Sequence, residues 1–371
     1  KIVLSSCPKI GSHFRYQRLY FTVVLRYLLI FRGHNMKKIA FCLENCINNN
    51  CFDLSNLEIN RDNCSYSLFL LKKIFKKYNF NLSTCDINSI DESEYIIYSE
   101  IPKKLPRKED IKISYLLLLE SKLIRPDNWD LNKHKNFNKI FTWNDKFVNN
   151  KKYYKVNFSH KFPNAIKKHS SKKNKLCTLI AGNKRVGRNS SELYSKRVEA
   201  IRWFEKNHLD DFDLYGVGWD ECALTNKYFG YLFKKLKLSK IFKPNFVSYK
   251  GAVDSKVEVL EKYKFSICYE NAKNIDGYIT EKIFDCFFAG CIPIYWGANN
   301  ITEHIPKECF IDKRDFASYE GLYEYITNIS VETYQEYLNN IEIYLNGEKV
   351  NEFKAEFFAN TIVNTILNDI R

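Results

Sequence analysis

A glutamate and a lysine stand side by side in the stretch YITEKIFDCFFAG, residues 278–290, where a polar loop leads into an apolar helix. Glu281 and Lys282 fall in the first turn of this predicted helix, and Gly290 suits the left-handed conformation that ends one. The N–H groups and dipole of a helix start attract an anion, and Lys282 adds a full positive charge. Glu281 can accept hydrogen bonds from neighbouring hydroxyl groups. The pattern predicts a pocket for a phosphate and a sugar, although the pair alone also fits a first-turn acid beside a surface lysine.

The strand before this helix, FSICYE (265–270), ends where the same pocket is predicted. It brings Tyr269, Glu270 and Asn271 to the carboxyl end of a strand. Open parallel sheets bind ligands at this edge, where the following helices begin. The elements that must position the candidate residues are therefore a parallel sheet and the helices that follow its strands.

Short apolar strands alternate with helices from residue 38 onward, and the pattern begins again after a lysine-rich stretch. Continuous apolar strands of this kind predict parallel sheets buried on both faces. Predicted strands are 38–43, 94–99, 115–120, 139–143, 176–182, 212–216, 265–270 and 292–296, and predicted helices are 67–80, 191–207, 255–263, 280–289, 318–328, 331–344 and 353–369. The predicted fold class is α/β with two Rossmann-like halves: an extension (1–35), a first half (36–166), a basic linker (167–175), a second half (176–350) and a C-terminal helix (351–371). The segment 217–246 is not assigned.

The composition predicts a globular protein with a basic surface. The 371 residues are 45% hydrophobic and 16% aromatic, which suffices for the cores of two domains, and the formal net charge is +15. This charge favours an anionic partner, which could be nucleic acid, acidic lipid or a phosphorylated small molecule. The lysine runs lack the arginine-rich or aromatic-interleaved pattern of nucleic-acid motifs, so a solvated basic surface is the simpler interpretation.

Twelve cysteines occur without a paired CxxC arrangement, and several lie in apolar runs. We therefore expect buried, reduced thiols in a cytosolic protein rather than disulfides or a zinc site.

The apolar stretch LYFTVVLRYLLIF (19–31) is broken by Arg26 and is shorter than the roughly 20 residues of a membrane-spanning helix. Residues 1–35 are interpreted as a non-native extension, and a type II membrane anchor is the alternative.

Metal-dependent and hydrolytic chemistries find little support. Asp211 and Asp213 form the Asp-x-Asp pattern of metal-dependent transferases, but they precede an apolar strand instead of following one. We interpret them as acids at the start of a strand. The histidines fall in no HExxH or HxxxH spacing, and no order of serine, histidine and aspartate suggests a hydrolase.

Residues 263–312, YKFSICYENAKNIDGYITEKIFDCFFAGCIPIYWGANNITEHIPKECFID, resemble the donor-binding signature of the α-1,3-fucosyltransferases, glycosyltransferase family ten. The resemblance continues upstream through GNKRVGRNSSELYSKRVEAIRWFEK (182–206) and DFDLYGVGWD (211–220), and into LLLLESKLIRPDNWDLN (116–132). It covers roughly residues 115–340. It implies the GT-B arrangement, in which two Rossmann-like domains face each other across a cleft.

The resemblance also implies a role for six residues of this chain. The arginine and lysine that grip the diphosphate fall on Arg197 and Lys282, the tyrosine and glutamate that hold the nucleotide and its sugar on Tyr278 and Glu281, the asparagine of the "EN" pair on Asn271, and the general base on Glu120. An acid at a strand end can also be a solvated terminus, so Glu120 has a structural alternative.

The reaction implied is the inverting transfer of L-fucose from GDP-β-L-fucose to the 3-hydroxyl of N-acetylglucosamine in an oligosaccharide or glycolipid. No metal or other cofactor is expected, because fixed cations can neutralise the diphosphate. No nucleic-acid partner is expected either. Two alternatives stay open: another GDP-deoxysugar donor, or an inactive protein that binds nucleotide or nucleic acid. We expect a cytoplasmic protein, with peripheral contact at the inner face of a membrane left open. An anchor at 19–31 would instead make it a type II membrane protein.

Overall fold

The computed structural model describes residues 36–165, 173–187, 189–221, 235 and 244–369 of the chain. The chain divides into two compact units, Lys1–Lys37 and Lys38–Arg371, and nearly all described residues belong to the second. The predicted extension 1–35, most of the linker and most of the segment 217–246 lie outside the described residues.

The first sheet has the strand order β2-β1-β3-β4-β5-β6. Its strands are β1 Lys37–Cys42, β2 Phe80–Thr84, β3 Tyr95–Ser99, β4 Ser114–Leu118, β5 Lys139–Thr142 and β6 Tyr153–Lys155. Successive pairs from β1 through β3, β4 and β5 to β6 run parallel. The sequence predicted four of these strands and missed two. β2 mixes polar and apolar residues, and β6 has only three half-buried residues, so neither is a continuous apolar run.

The second sheet has the strand order β11-β10-β9-β7-β8, and its strand pairs are parallel. Its strands are β7 Lys175–Ile180, β8 Phe212–Tyr215, β9 Tyr263–Tyr269, β10 Ile292–Trp296 and β11 Ile311–Asp312. β9 and β10 are almost wholly buried, which explains their continuous apolar sequences. The predicted α/β architecture of two Rossmann-like halves, the GT-B arrangement, is confirmed.

Helices connect and cover both sheets. Within the described ranges they are α1 Tyr66–Lys77, α2 Leu131–His134, α3 Tyr194–Asn207, α4 Lys256–Leu260, α5 Glu281–Phe288, α6 Ile301–His304, α7 Tyr319–Asn328, α8 Val331–Asn346 and α9 Ala355–Asn368. The starts of α7 and α8 are fixed by Ser318 and Ser330, whose hydroxyls accept backbone N–H groups of the first turn. None of the helices in the described part of the chain is long and apolar enough to cross a lipid bilayer.

The last helix, α9, returns to the first half of the protein. Phe358, Ile362 and Val363 of α9 lie in one buried cluster with Leu71 of α1 and Phe41 of β1. The sequence predicted the helix but gave no indication of where it packs. The first sheet therefore depends for part of its core on the C-terminal end of the chain.

Two disulfides correct the expectation of reduced thiols. Cys42 pairs with Cys85, and Cys46 pairs with Cys51. Cys42 ends β1 and Cys85 directly follows the neighbouring strand β2, so their Cα atoms lie 5.4 Å apart, within disulfide range. Unpaired cysteines among the described residues are the exposed Cys64 and the buried Cys177, Cys268, Cys286, Cys291 and Cys309.

A buried ionic network joins the two halves. The His304 ring donates from Nε2 to Asp145 and from Nδ1 to Glu352, each at 2.8 Å, and Lys155 pairs with Asp145. Burial opposes protonation of His304, but the hydrogen bonds to Asp145 and Glu352 outweigh it and raise the pKa of His304 to about 9. Asn157 donates to the second oxygen of Glu352 at 3.0 Å. The imidazolium is thus held between Asp145 of the first half and Glu352, which lies just before α9.

We predict that His304→Gln removes a pH-dependent part of the stability. The folded-state pKa of His304 lies above its unfolded value of about 6.5, so the contribution is complete below pH 6.5 and is lost as the pH rises through about 9. The contribution is on the order of 2 kcal/mol. Urea unfolding at pH 6.5 and pH 9.5 measures it in the parent and the variant.

His208→Gln serves as the matched control, because His208 lies 3.9 Å from its nearest carboxylate, that of Glu320. This control should keep the pH dependence of the parent. An equal loss of unfolding free energy between pH 6.5 and 9.5 in the parent and in His304→Gln would contradict the role of the imidazolium.

Candidate active site

A cavity of about 330 Å³ opens at the carboxyl ends of β7, β8 and β9. β7 has β8 on one side and β9 on the other, so the order of the strands reverses at β7. Such a reversal leaves a crevice at the sheet edge where ligands bind. Tyr269 at the end of β9 borders the cavity together with Arg197 of α3 and Lys282 of α5.

A buried carboxylate fixes the start of α5. Glu270 follows β9, is fully buried, and accepts the backbone N–H of Thr280 at 2.8 Å and its hydroxyl at 2.7 Å. Thr280 is the extended residue directly before the first turn. The helix ends at the left-handed Gly290, as predicted. Glu270 is a structural residue of the site that the sequence prediction left without a role.

Lys282 presents a charged ammonium group beside the cavity. Its Nζ lies 2.8 Å from the Thr280 hydroxyl, 3.2 Å from Glu270 and 3.4 Å from Glu281. Burial opposes protonation, but the charges of Glu270 and Glu281 outweigh it and raise the pKa of Lys282. The side chain is 18% exposed, so the charge is fixed in place by its neighbours.

Glu281 is ionised and faces two cations. The loss of solvent in the cleft opposes its ionisation, but Lys282 and Lys256 hold its pKa well below the usual range. Lys256 at the start of α4 pairs with Asp285 at 2.8 Å, and both border the cavity. The sequence prediction missed this pair. Asp285 lies one helical turn after Glu281, which is the only local signal for it.

Arg197 is held by uncharged acceptors. It lies in the first turns of α3, is 4% exposed, and donates to the Tyr269 carbonyl at 2.6 Å and to the Asn271 side chain at 3.0 Å. Its guanidinium also lies 4.9 Å from the centre of the Tyr194 ring. The Nη1 group makes no hydrogen bond to a residue that the structure describes. Arg197 therefore borders the cavity with an oriented positive charge and unused donors.

Asn271 and Tyr278 occupy different positions. Asn271 borders the cavity and orients Arg197. Tyr278 is 1% exposed and does not border the cavity formed by the described residues. Its ring packs 4.8 Å from that of Trp143 in the first half, and its hydroxyl accepts a hydrogen bond from Asn271 at 3.4 Å. A direct contact of Tyr278 with a ligand stays a prediction.

Glu120 lies in the first half, close enough to the charged groups of this site to interact with them. It follows β4, and its backbone is held at both ends: its N–H donates to Glu100 at 3.0 Å, and its carbonyl accepts from the Trp129 indole at 3.1 Å. The Glu120 carboxylate makes no hydrogen bond or ion pair within the described part of the chain. Burial raises its pKa, an effect that Lys184 and Lys282 of the second half oppose. Glu120 is thus brought to the same cleft as the cations.

Arg61 borders the cavity from the first half, and the sequence prediction missed it. It begins a short 3₁₀ turn, Arg61–Asn63, in which Asp62 has a left-handed φ of 54°. The Asp62 side chain accepts the backbone N–H of Lys256 at 3.1 Å, which fastens this turn to the second half. No local sequence pattern predicts that contact, because it joins residues 194 positions apart.

A family model described as glycosyltransferase family 10 (fucosyltransferase), C-terminal part, matches residues 218–359. The matched range covers less than half of the chain. The family 10 match includes Asn271, Tyr278, Glu281 and Lys282. Glu120 and Arg197 lie outside the matched range, so their placement rests on the geometry of the cleft.

Curated relatives are similar to this chain over short segments. An α-(1,3)-fucosyltransferase FucT of Helicobacter pylori is 34% identical over 115 residues, which are 31% of this chain and 23% of that protein. A putative fucosyltransferase R654 of Acanthamoeba polyphaga mimivirus is 39% identical over 97 residues, 26% of this chain and 16% of that protein. The chain thus spans less than a quarter of the length of these relatives.

The fold of the chain has a match among solved structures. An α-glucosyltransferase in complex with UDP and a 13-mer DNA superposes with a TM-score of 0.52 over 90% of this chain and 100% of that one, at 11% identity. A likeness at this level of identity supports the fold and carries nothing about the substrate.

The two acids of the Asp-x-Asp pattern have structural partners. Asp213 lies in β8 and accepts from the Tyr263 hydroxyl at 2.6 Å and from Lys175 at 2.5 Å. Asp211 accepts from the Tyr323 hydroxyl at 2.6 Å. No group of three or more histidine, cysteine or acidic side chains among the described residues is arranged to hold a metal ion.

We predict that Gly277→Ala disrupts the packing of this loop against the first half. Gly277 has a φ of 78°, and an added Cβ would meet the Trp143 carbonyl and, at 2.7 Å, the Asp145 carboxylate. The left-handed backbone alone costs a side chain about 1 kcal/mol or more, and the clash adds to it. Urea unfolding should show a loss of at least about 2 kcal/mol.

Two glycines separate the contributions. Gly251 has a φ of 110° and no atoms near an added Cβ, so Gly251→Ala reports backbone strain alone. Gly187 lies in open space without a left-handed φ, and Gly187→Ala should be nearly neutral. If Gly277→Ala destabilised the protein no more than Gly251→Ala does, the proposed clash with the first half would be absent.

Proposed function

We propose that this protein is an inverting glycosyltransferase that moves L-fucose from GDP-β-L-fucose to the 3-hydroxyl of N-acetylglucosamine in a glycan acceptor. One observation carries the proposal: Arg197 and Lys282 border a single cavity, and the carboxylate of Glu120, in the first half, is close enough to Lys184 and Lys282 of that cavity to interact with their charges. The names of the relatives support fucose as the sugar.

The cations would bind the leaving group. When the bond between the sugar and the diphosphate breaks, negative charge builds on the diphosphate, and preorganised positive groups stabilise it. Arg197 has unused donors, and Lys282 lies in the first turn of α5, where the helix N–H groups also favour an anion. These groups supply the neutralisation without a divalent ion, so the proposed reaction requires no metal.

Glu281 would hold the sugar. Its carboxylate is 42% exposed and ionised, so it can accept hydrogen bonds from hydroxyl groups of the donor. Lys282 fixes it beside the place proposed for the diphosphate. Asn271 keeps Arg197 in the same pocket, so the sugar and the phosphates share one wall.

Glu120 would act as the general base. A carboxylate with a raised pKa accepts a proton better than an ordinary one. It would take the proton of the acceptor hydroxyl while that oxygen bonds to the anomeric carbon of fucose. The base and the diphosphate site belong to opposite halves, which suits attack on the face of the sugar away from the leaving group and therefore inversion.

We predict that Arg197→Ala and Lys282→Ala each lower kcat by on the order of 100-fold or more, because each removes a charge that stabilises the leaving diphosphate. Lys196→Ala is the matched control: Lys196 neighbours Arg197 on α3 but pairs with the exposed Glu199 and should leave kcat unchanged. GDP release from GDP-fucose with N-acetyllactosamine measures the rates. A near-normal rate for either variant would remove that residue from the diphosphate site.

The donor and the base are tested together. We expect the parent to turn over GDP-fucose, but neither GDP-mannose nor UDP-galactose, with EDTA present, and Glu120→Gln to lose at least about 100-fold in kcat. Because Glu120 lies in the opposite half, GDP binding by the variant should match the parent. Preference for another GDP-sugar would change the donor assignment. A reversible loss of activity in EDTA would show that the reaction requires a metal. GDP binding without turnover of any donor would mean that the protein only binds the nucleotide.

A further inference from the structure

Glu100 is a buried acid at the same sheet edge as Glu120, and it has an unusual backbone. It directly follows β3 and is 9% exposed. Its φ of 69° lies in the left-handed region, which a residue with a side chain adopts at a cost of about 1 kcal/mol or more. Strain of this kind persists only where surrounding contacts enforce it.

The hydrogen bonds of the Glu100 carboxylate hold this residue in its left-handed conformation. One oxygen of Glu100 accepts the backbone N–H groups of Leu119 at 3.1 Å and Glu120 at 3.0 Å. The other oxygen accepts from the side chain of Asn128, which is fully buried and in turn accepts the N–H of Ile101 at 3.1 Å. The Glu100 carboxylate thereby ties the segment after β3 to the segment after β4.

Glu120 therefore projects from a backbone that is held on both sides. Glu100 fixes its N–H, and Trp129 fixes its carbonyl. The Glu120 side chain itself has no hydrogen-bond partner among the described residues, so its direction depends on the backbone that carries it. Glu100 holds that backbone and does not itself border the cavity.

We propose that Glu100 is a positioning residue for the reaction, which orients the base Glu120 through two backbone N–H groups. This inference rests on the proposed function of Glu120. Burial raises the pKa of Glu100 to about 7, against the hydrogen bonds that it accepts, and the charged groups that face it are Glu120 and Arg125. Protonation of Glu100 near neutral pH weakens its hold on the backbone of Glu120, so its ionisation contributes to the acid limb of the activity profile.

Two variants test the proposal. Glu100→Gln keeps the shape but places an amide NH₂ group against either Asn128 or the two backbone N–H groups. Glu100→Gly removes the carboxylate and relieves the left-handed backbone, so the relieved strain offsets part of the stability lost with the three hydrogen bonds. We expect kcat to fall at least tenfold in both variants. The KM for GDP-fucose and the affinity for GDP should stay within twofold of the parent, because the donor site lies in the other half.

The pH profile gives the readout that a merely structural role would not move. The acid limb of kcat should shift to lower pH in Glu100→Gln, because only Glu120 then titrates. Glu92→Gln is the control: Glu92 is exposed and pairs with Lys38 at 2.6 Å, and its loss should leave kcat unchanged.

Three outcomes overturn the inference. A kcat and a pH profile like those of the parent in both variants would show that Glu100 does not position the base. A parallel fall of kcat, GDP affinity and melting temperature would make Glu100 a folding residue only. A parent that binds GDP but turns over no donor would overturn the proposed function as well, and the activity of the parent alone distinguishes that case from the first two.

Discussion

One imidazolium joins the two halves of this protein. His304 belongs to the second half, and its ring donates to Asp145 of the first and to Glu352. A partly buried charge is tolerated only where its partners are in place, so this contact is made in one geometry. The segment that carries Asp145 also supplies the Trp143 ring against which Tyr278 packs. The segment that anchors the imidazolium thus also supports the packing of Tyr278 against the first half.

Within the cleft the positive charges are held in two different ways. Lys282 and Lys256 are each paired with a carboxylate, Glu270 and Asp285, so their charges are largely compensated before any ligand arrives. Arg197 is oriented by a carbonyl and an amide, and no carboxylate among the described residues contacts it directly. Its charge is the less compensated one, although the full burial of the group would normally demand compensation. An anionic ligand would supply it.

The sequence predicted those features that depend on neighbouring residues. The bounds of α5, the placement of Glu281 and Lys282 in its first turn, and the parallel sheets follow from local signals. What it could not predict depends on distant contacts. Arg61 reaches the cavity only because the adjacent Asp62 binds the backbone of α4, and the disulfide between Cys42 and Cys85 exists because β2 lies beside β1. Glu100 gave no signal, since its role is visible only once the ends of β3 and β4 are side by side.

The return of α9 to the first half makes synthesis of the chain relevant to its folding. Phe358, Ile362 and Val363 cover apolar residues of α1 and β1, which leave the ribosome almost 300 residues earlier. The half that is made first is therefore the half that is completed last. Until α9 emerges, the nascent chain exposes part of an apolar core, and this is the kind of surface that molecular chaperones bind. The domain that looks N-terminal in the sequence is, as a folding unit, discontinuous.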